Sequence, residues 1–407
     1  MNTALDTIAI PEFRSFIFGR LFLVMALRMT ATTVGWLIWQ VTHSLLALSM
    51  VGLSEFLPAI TLALYAGHVI DISDKRSLTI KTLVCYVGCI ACFLILTTPG
   101  ILHHHKIVWA VYLIVFATGV LRAFANPAIS AMISQIVPRP LLGNAVNWSQ
   151  STFLGASIMG HALAGFLIGN CSYTVVFSTI AGLASLGLFF VTLLKPKPSS
   201  RAADDVISTW ASVKEGLSFV YRTKEVLAAM SLDMFAVLFG GVIGVIPVFA
   251  TDILKISPQA YGWLNASSDI GSGIMILSLT FFPLRMRQGK ILLTAVFGFG
   301  LCIIVFALSR NFYLSFAALL VSGMMDGISV LIRGTIIQLK TPDAVKGRVL
   351  SVSSMFINSS NELGNFESGL AAKLLGIIPS VIFGGIMTLV VVGTTWFSAP
   401  RLRKMEY

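Results

Sequence analysis

Apolar residues run along this chain in long blocks, interrupted by short breaks that are polar or contain proline or glycine. A helix needs about 20 predominantly apolar residues to cross the hydrocarbon core of a bilayer. Blocks of that length predict spanning helices over residues 13–40, 45–70, 77–97, 106–137, 142–169 and 174–194. Six more follow over 226–251, 259–283, 289–309, 312–339, 346–374 and 379–399. The pattern is that of an all-α membrane protein with twelve spans. One long polar stretch, residues 195–225, separates two six-span bundles, 1–194 and 226–407. Lys195-Pro-Lys-Pro should stop the sixth helix, because proline lacks the amide hydrogen a helix needs. Within the linker, Trp210 to Tyr221 has the mixed character of a short amphipathic helix at a membrane surface. The segment before Pro11 is too weakly apolar, and the run after it too long, for a cleaved signal. The first helix is therefore expected to stay as an anchor.

Composition makes lipid the natural solvent. Hydrophobic residues are 56% and charged residues 11% of the 407, with a mean hydropathy of +0.89. That charged fraction is about half of what a soluble domain carries. The net charge is +11, but the basic residues lie in short connections rather than on one face, which argues against a nucleic-acid partner. With both termini cytoplasmic, twenty of the 28 Lys and Arg fall on the inner side, against Lys106, Lys255, Arg310 and Lys373 outside. Positive charge is retained on the cytoplasmic side, so the inner membrane with both termini inside is expected.

Candidate chemistry outside the membrane is sparse. Cys85, Cys89 and Cys92 share one face of a span, and Cys171 and Cys302 are isolated, so all five are expected to be small packing residues. His103-His104-His105 is expected as a solvated outer loop, because consecutive histidines do not share a helical face and have no second ligand cluster. There is no Gly-x-x-x-x-Gly-Lys-Ser/Thr phosphate loop, no His-Glu-x-x-His, and no Ser/His or Cys/His pairing. No metal, cofactor or enzymatic activity is expected.

The two bundles repeat. An offset of 204 residues aligns Pro138 with Pro342, Gly143 with Gly347, Gly160 with Gly364 and Gly165 with Gly369. In each half a Pro-x-x-x-x-Gly loop with basic neighbours joins the fourth span to the fifth. Parallel six-helix repeats place a substrate site at their interface near the bilayer midplane.

The loop after the second span reads Gly67-His-Val-Ile-Asp71-Ile-Ser-Asp74-Lys75-Arg76. It resembles the signature loop of the major facilitator superfamily, with Ile72 where a basic residue is usual and Asp74 where glycine is common. The resemblance implies a gating loop in which Asp71 bridges helix ends. Arg122, in Gly119-Val-Leu-Arg122-Ala-Phe-Ala-Asn126-Pro127, resembles the helix-4 arginine that superfamily antiporters use in proton coupling. Gly155-Ala-Ser-Ile-Met-Gly160-His161-Ala-Leu-Ala-Gly165 looks like the glycine-rich helix-5 antiporter motif, with His161 in place of proline. Small residues there let helices pack closely. Pro11-Glu-Phe-Arg14, Val34-Gly-Trp36, Leu53-x-x-x-x-Pro58 and Thr341-Pro-Asp-Ala-Val-Lys-Gly347-Arg348-Val349 resemble the enterobactin-exporter and macrolide-efflux branch. The stretch Ser359-Ser-Asn-Glu362-Leu-Gly364-Asn-Phe-Glu367-Ser-Gly369 looks like a signature of its bacterial members.

An ionisable residue at membrane depth is costly and points to function. Arg20, Arg28, Glu55, Arg122, Asp233, Asp269, Asp326, Arg333, Glu362 and Glu367 lie in predicted spans. The superfamily fold puts helices 1, 4, 7 and 10 around a central cavity, which assigns Arg28, Arg122, Asn126, Asp233, Asp326 and Arg333 to a polar path, with Glu55 and Glu362 on flanking helices. Under the repeat register Arg122 and Asp326 are opposite-sign equivalents, which suggests a pair across the cavity. Arg20, near the cytoplasmic edge, is expected to snorkel. Asp233, Asp326 and Glu362 are the candidate proton carriers. Trp36, Trp39, Phe235 and Phe239 are candidate cavity lining. The expected function is proton-coupled export of a small amphipathic molecule by a monomeric carrier. The alternatives are export of a metal ion or anionic metabolite, such as a siderophore, and lipid flipping.

Overall fold

The computed structural model describes residues 4–98, 104–197, 209–282 and 287–406, and among them there is no strand. A short helix α1 (Ala4–Ala9) leads into α2 (Pro11–Thr42), whose first turn uses proline where no helical amide is required. Then come α3 (Leu45–Ile72), α4 (Lys75–Leu96), α5 (His104–Ile136), α6 (Leu142–Asn170) and α7 (Tyr173–Thr192). The linker helix is α8 (Thr209–Arg222). After it follow α9 (Lys224–Gly240), the single turn α10 (Ile246–Val248), α11 (Pro258–Phe281), α12 (Gln288–Leu308), α13 (Phe312–Lys340), α14 (Asp343–Leu375), α15 (Ile377–Ser398) and the C-terminal turn α16 (Pro400–Arg403).

Ten segments among the described residues are long and apolar enough to cross a membrane. The predicted eighth and eleventh spans form helices of 24 and 33 residues, α11 and α14, that fall outside those ten because they carry more polar residues. His104 and His105 open helix α5 instead of lying in a loop, and His103 lies outside the described residues.

The chain divides into two compact units, Met1–Val41 with Ser54–Thr209, and Thr42–Leu53 with Trp210–Tyr407. The first turns of α3 group with the second unit because they press on α14. A Cβ on Gly52 would lie 3.0 Å from the Asn365 Cβ and 3.2 Å from the Glu362 carbonyl oxygen.

Small residues repeat the same helix pairings in the two units. A Cβ on Gly119 of α5 would come within 2.9 Å of the Glu55 carbonyl oxygen on α3. Its repeat partner Gly323, on α13, meets the Ser268 backbone of α11 in the same way. Likewise Gly160 of α6 abuts Met25 and Arg28 of α2, while Gly364 of α14 abuts Val237 and Leu238 of α9. The internal repeat thus extends from sequence to backbone contacts, and packing of this kind holds helices together where lipid removes the usual hydrophobic drive.

One prediction fails at the seventh span. The apolar run 226–251 is not a single helix. It stops at Gly240, passes Gly241 in an extended conformation, and resumes as a 3-10 turn (Ile243–Val245), α10 and a π turn (Phe249–Ile253). Two adjacent glycines weaken the helix, and Pro247 cannot supply an amide to it. Irregular backbone at membrane depth must have its polar groups met by protein. Here Ser368 of α14 donates its hydroxyl to the Gly241 carbonyl at 2.5 Å, and the Asn365 backbone closes on Gly244. The Ser359–Gly369 stretch is therefore a cradle for the broken helix. Replacing Ser368 with Ala should cost about 1–3 kcal/mol by removing that donor, seen as a lower unfolding temperature in detergent, whereas Ser368→Thr should keep most of it.

Candidate functional site

In the first unit the membrane-depth charges meet between α3 and α5. The close backbone approach at Gly119 brings Glu55 opposite Arg122, and the two side chains form an ion pair. Arg122 is 36% exposed and Glu55 20%, so the pair is open to a ligand or water on one side. Arg122 thus pairs inside its own unit with Glu55. Asn126 sits one turn further along α5, and its side chain lies outside the described residues.

In the second unit Arg333 of α13 pairs with Asp233 of α9, with side-chain exposures of 6% and 8%. The low-dielectric surroundings make each charge depend on the other, and removing one partner leaves an uncompensated charge. Two turns before Arg333, Asp326 is partly buried and makes no ion pair or hydrogen bond among the described residues. Asp233, Asp326 and Ser329 share a cavity of about 10 Å³ with the apolar Ala236, Val237, Val296, Phe299 and Met325. That volume has room for about one water molecule. Asp269, on the closely packed α11, adds a second carboxylate near Asp326. Glu362 and Glu367 lie partly buried on α14, Glu362 where α14 backs onto Gly52.

The helix-5 motif lies in α6, against α2. Gly160 permits contact at Arg28, and the Nδ1 of the next residue, His161, is 2.6 Å from the hydroxyl of Thr32, one turn beyond Arg28 on α2. His161 and Gly165 are buried, while a side chain at Gly155 would meet open space. Arg28 and Arg20 both place their guanidinium groups over the ring of Phe153 on α6, at 5.3 and 5.7 Å from its centroid. Arg20 is thus stacked on a neighbouring helix rather than extended toward the membrane edge.

At the α3–α4 connection, Asp74 caps α4 by accepting the Ser77 amide at 2.6 Å. Its other carboxylate oxygen accepts the amide of Lys197 at 2.7 Å, and the Lys197 carbonyl accepts the Lys75 amide at 3.0 Å. Lys197 is buried. Its ammonium lies 2.7 Å from Glu12 and donates to the Gln135 carbonyl at 3.1 Å. Arg76 donates to the Thr192 carbonyl at 2.6 Å, at the end of α7. The loop therefore clasps the incoming linker, a contact that the resemblance to a gating loop did not include. Gly67 lies on α3 with open space beside it, and the side chain of Asp71 lies outside the described residues. Asp74, an acceptor where the loop commonly has glycine, is the residue that makes the clasp.

Further expectations change. Trp36 and Trp39 are buried in the core of their unit, so they do not line an open surface. Phe235 is exposed and Phe239 packs edge-on against Phe383. Cys85, Cys92 and Cys171 are exposed, so they are not packing residues, and all five thiols are free. Among the described residues no cluster of three or more His, Cys, Asp or Glu is arranged to hold a metal.

Comparison with known proteins adds the following. The family described as transmembrane secretion effector matches residues 3–407. The multidrug efflux pump Tap of Mycolicibacterium fortuitum is 22% identical over 390 residues, 93% of each chain. The enterobactin exporter EntS of Escherichia coli O1:K1 is 25% identical over 352 residues, 83% of this chain and 80% of that one. Among solved structures, a mutant form of the nucleoside transporter NupG superposes with a TM-score of 0.77 at 12% identity, covering 95% of this chain and all of that one. A D-xylose-proton symporter superposes at 0.76 and 13% identity over the whole of both chains. At these identities the structures speak to fold alone.

Two outcomes follow from the geometry. Arg333→Gln should destabilise the protein by about 3–5 kcal/mol by stranding Asp233, and adding Asp233→Asn should restore part of the loss in the same thermal unfolding assay. Lys197→Met should cost about 1–3 kcal/mol and speed proteolytic cutting of the linker, measured by limited trypsin digestion in detergent.

Proposed function

This chain belongs to the transmembrane secretion effector family of major facilitator transporters, and on that premise we propose that it exports a small amphipathic molecule against an inward flow of protons. The relatives described as an efflux pump and an exporter support the outward direction. The distribution of Lys and Arg supports an inner-membrane protein with both termini cytoplasmic. Export would proceed by alternating access, one six-helix bundle rocking against the other about a fixed site.

The observation that carries the coupling is Asp326, a membrane-depth carboxylate without an ion pair among the described residues, beside the buried Asp233–Arg333 pair. A water in their shared cavity relays a proton from Asp326 to Asp233. Neutral Asp233 loses its hold on Arg333, and the link between α9 and α13 weakens. When the proton leaves, the ion pair forms again. The proton thus acts on a two-state contact between the seventh and tenth spans. The break after Gly240 lies two turns from Asp233 on the same element, where small rotations of α9 cost least.

Proteoliposomes preloaded with ethidium test this reading. An imposed pH gradient should accelerate dye movement severalfold with the unaltered protein. Asp326→Asn should abolish the response to the gradient while leaving dye exchange at equal pH. A gradient that changes nothing with the unaltered protein sinks proton coupling. A full response from Asp326→Asn sinks the residue assignment.

A further inference from the structure

Arg20, Arg28, Arg122 and Arg333 lie within the predicted spans, and the structure treats them as two kinds. Arg122 and Arg333 each face a carboxylate, Glu55 and Asp233. Arg20 and Arg28 face none. Both lie on α2, eight residues apart, and both sit over one aromatic ring, Phe153 of α6. With centroid distances of 5.7 and 5.3 Å, at most about 11 Å separates the two guanidinium carbons. Apart from that ring, neither makes a hydrogen bond or ion pair among the described residues, and the Arg20 Nε is buried without any acceptor. The face of a ring attracts a cation, but it carries no net charge and offers no oxygen to a guanidinium fork. Two positive charges at this depth, joined by a ring and lacking a counter-charge, are costly without a use.

We infer that Arg20, Arg28 and Phe153 form a binding site for an anionic group, a carboxylate or a comparably acidic oxygen pair, on the exported molecule. The guanidinium is matched to such a group by its planar set of donors, which grip two oxygens at once. Phe153 attracts both guanidinium groups without taking any of their donors. Packing keeps the site in position: Gly160 lets α6 close on α2 at the Met25 backbone and the Arg28 Cβ, and the neighbouring His161 ties the same helices at Thr32. Arg20 and Arg28 are only partly buried, so an anion has access to them. The identity of the anion as cargo rests on the export reading. The binding itself does not.

Binding of salicylate and of its neutral counterpart salicylamide to the full-length protein, by calorimetry in detergent, separates the two claims. Salicylate should bind about tenfold more tightly than salicylamide. Arg28→Gln and Arg20→Gln should each weaken salicylate by about fivefold or more, leave salicylamide unchanged, and unfold at the unaltered temperature. Arg28→Lys keeps the charge but not the fork, and should retain an intermediate affinity. Equal affinity for the two compounds, no salicylate binding, or salicylate binding indifferent to both Gln variants overturns the site. Repeating the titration in phosphatidylcholine and phosphatidylglycerol nanodiscs tests the occupant. Undiminished binding in both supports the cargo, and loss of binding only in phosphatidylglycerol gives the site to a lipid headgroup and overturns it. Salicylate binding together with no salicylate movement out of preloaded proteoliposomes, with or without a pH gradient, would keep the site and discard the export reading.

Discussion

Charge at membrane depth is the constraint on which the rest of this molecule depends. A chain with 11% charged residues can place few of them in its spans, and each must be neutralised or exposed to a ligand. The Asp233–Arg333 pair fixes α9 against α13, and the helix arrangement around it follows. The adjacent Asp326 is held at the edge of their cavity, and α14 closes over the interrupted part of the seventh span. In the first unit the same requirement is met between different helices, α3 and α5. The two halves share a backbone plan but not a charge plan.

The backbone plan was legible in the sequence because hydropathy reports it directly. Span edges such as Leu45, Lys75 and Phe312 follow polar or proline and glycine breaks, and the 204-residue repeat was visible in glycines that the structure places at helix contacts. The interruption after Gly240 was not legible in the same way. Residues 234–250 are apolar throughout, so burial favours them whether helical or not. Only Gly240-Gly241 and Pro247 marked the break. The partner that satisfies it, Ser368, is distant in sequence.

Side-chain pairing was harder to foresee for a geometric reason. Knowing that Arg122 and Glu55 lie in spans says nothing of the rotation of either helix about its axis. That rotation was set by Gly119, whose role is evident only when the neighbouring backbone is in view. The partners of Lys197 were hidden for a different reason. The positive-inside rule treats basic residues near a membrane as solvated, and it does not register one that is buried against Glu12 and the Gln135 carbonyl.

The clasp at Lys197 has a consequence for the connector between the halves. On the other side of the linker, Glu215 of α8 is held by Arg348 at 2.5 Å, and Gly216 rests on the Arg348 backbone. The polar stretch is therefore not a tether over its whole length. Its two ends belong to opposite halves, and only residues 198–208 run between the anchored parts. Lengthening the chain between the two anchors would therefore leave each half's own contacts untouched.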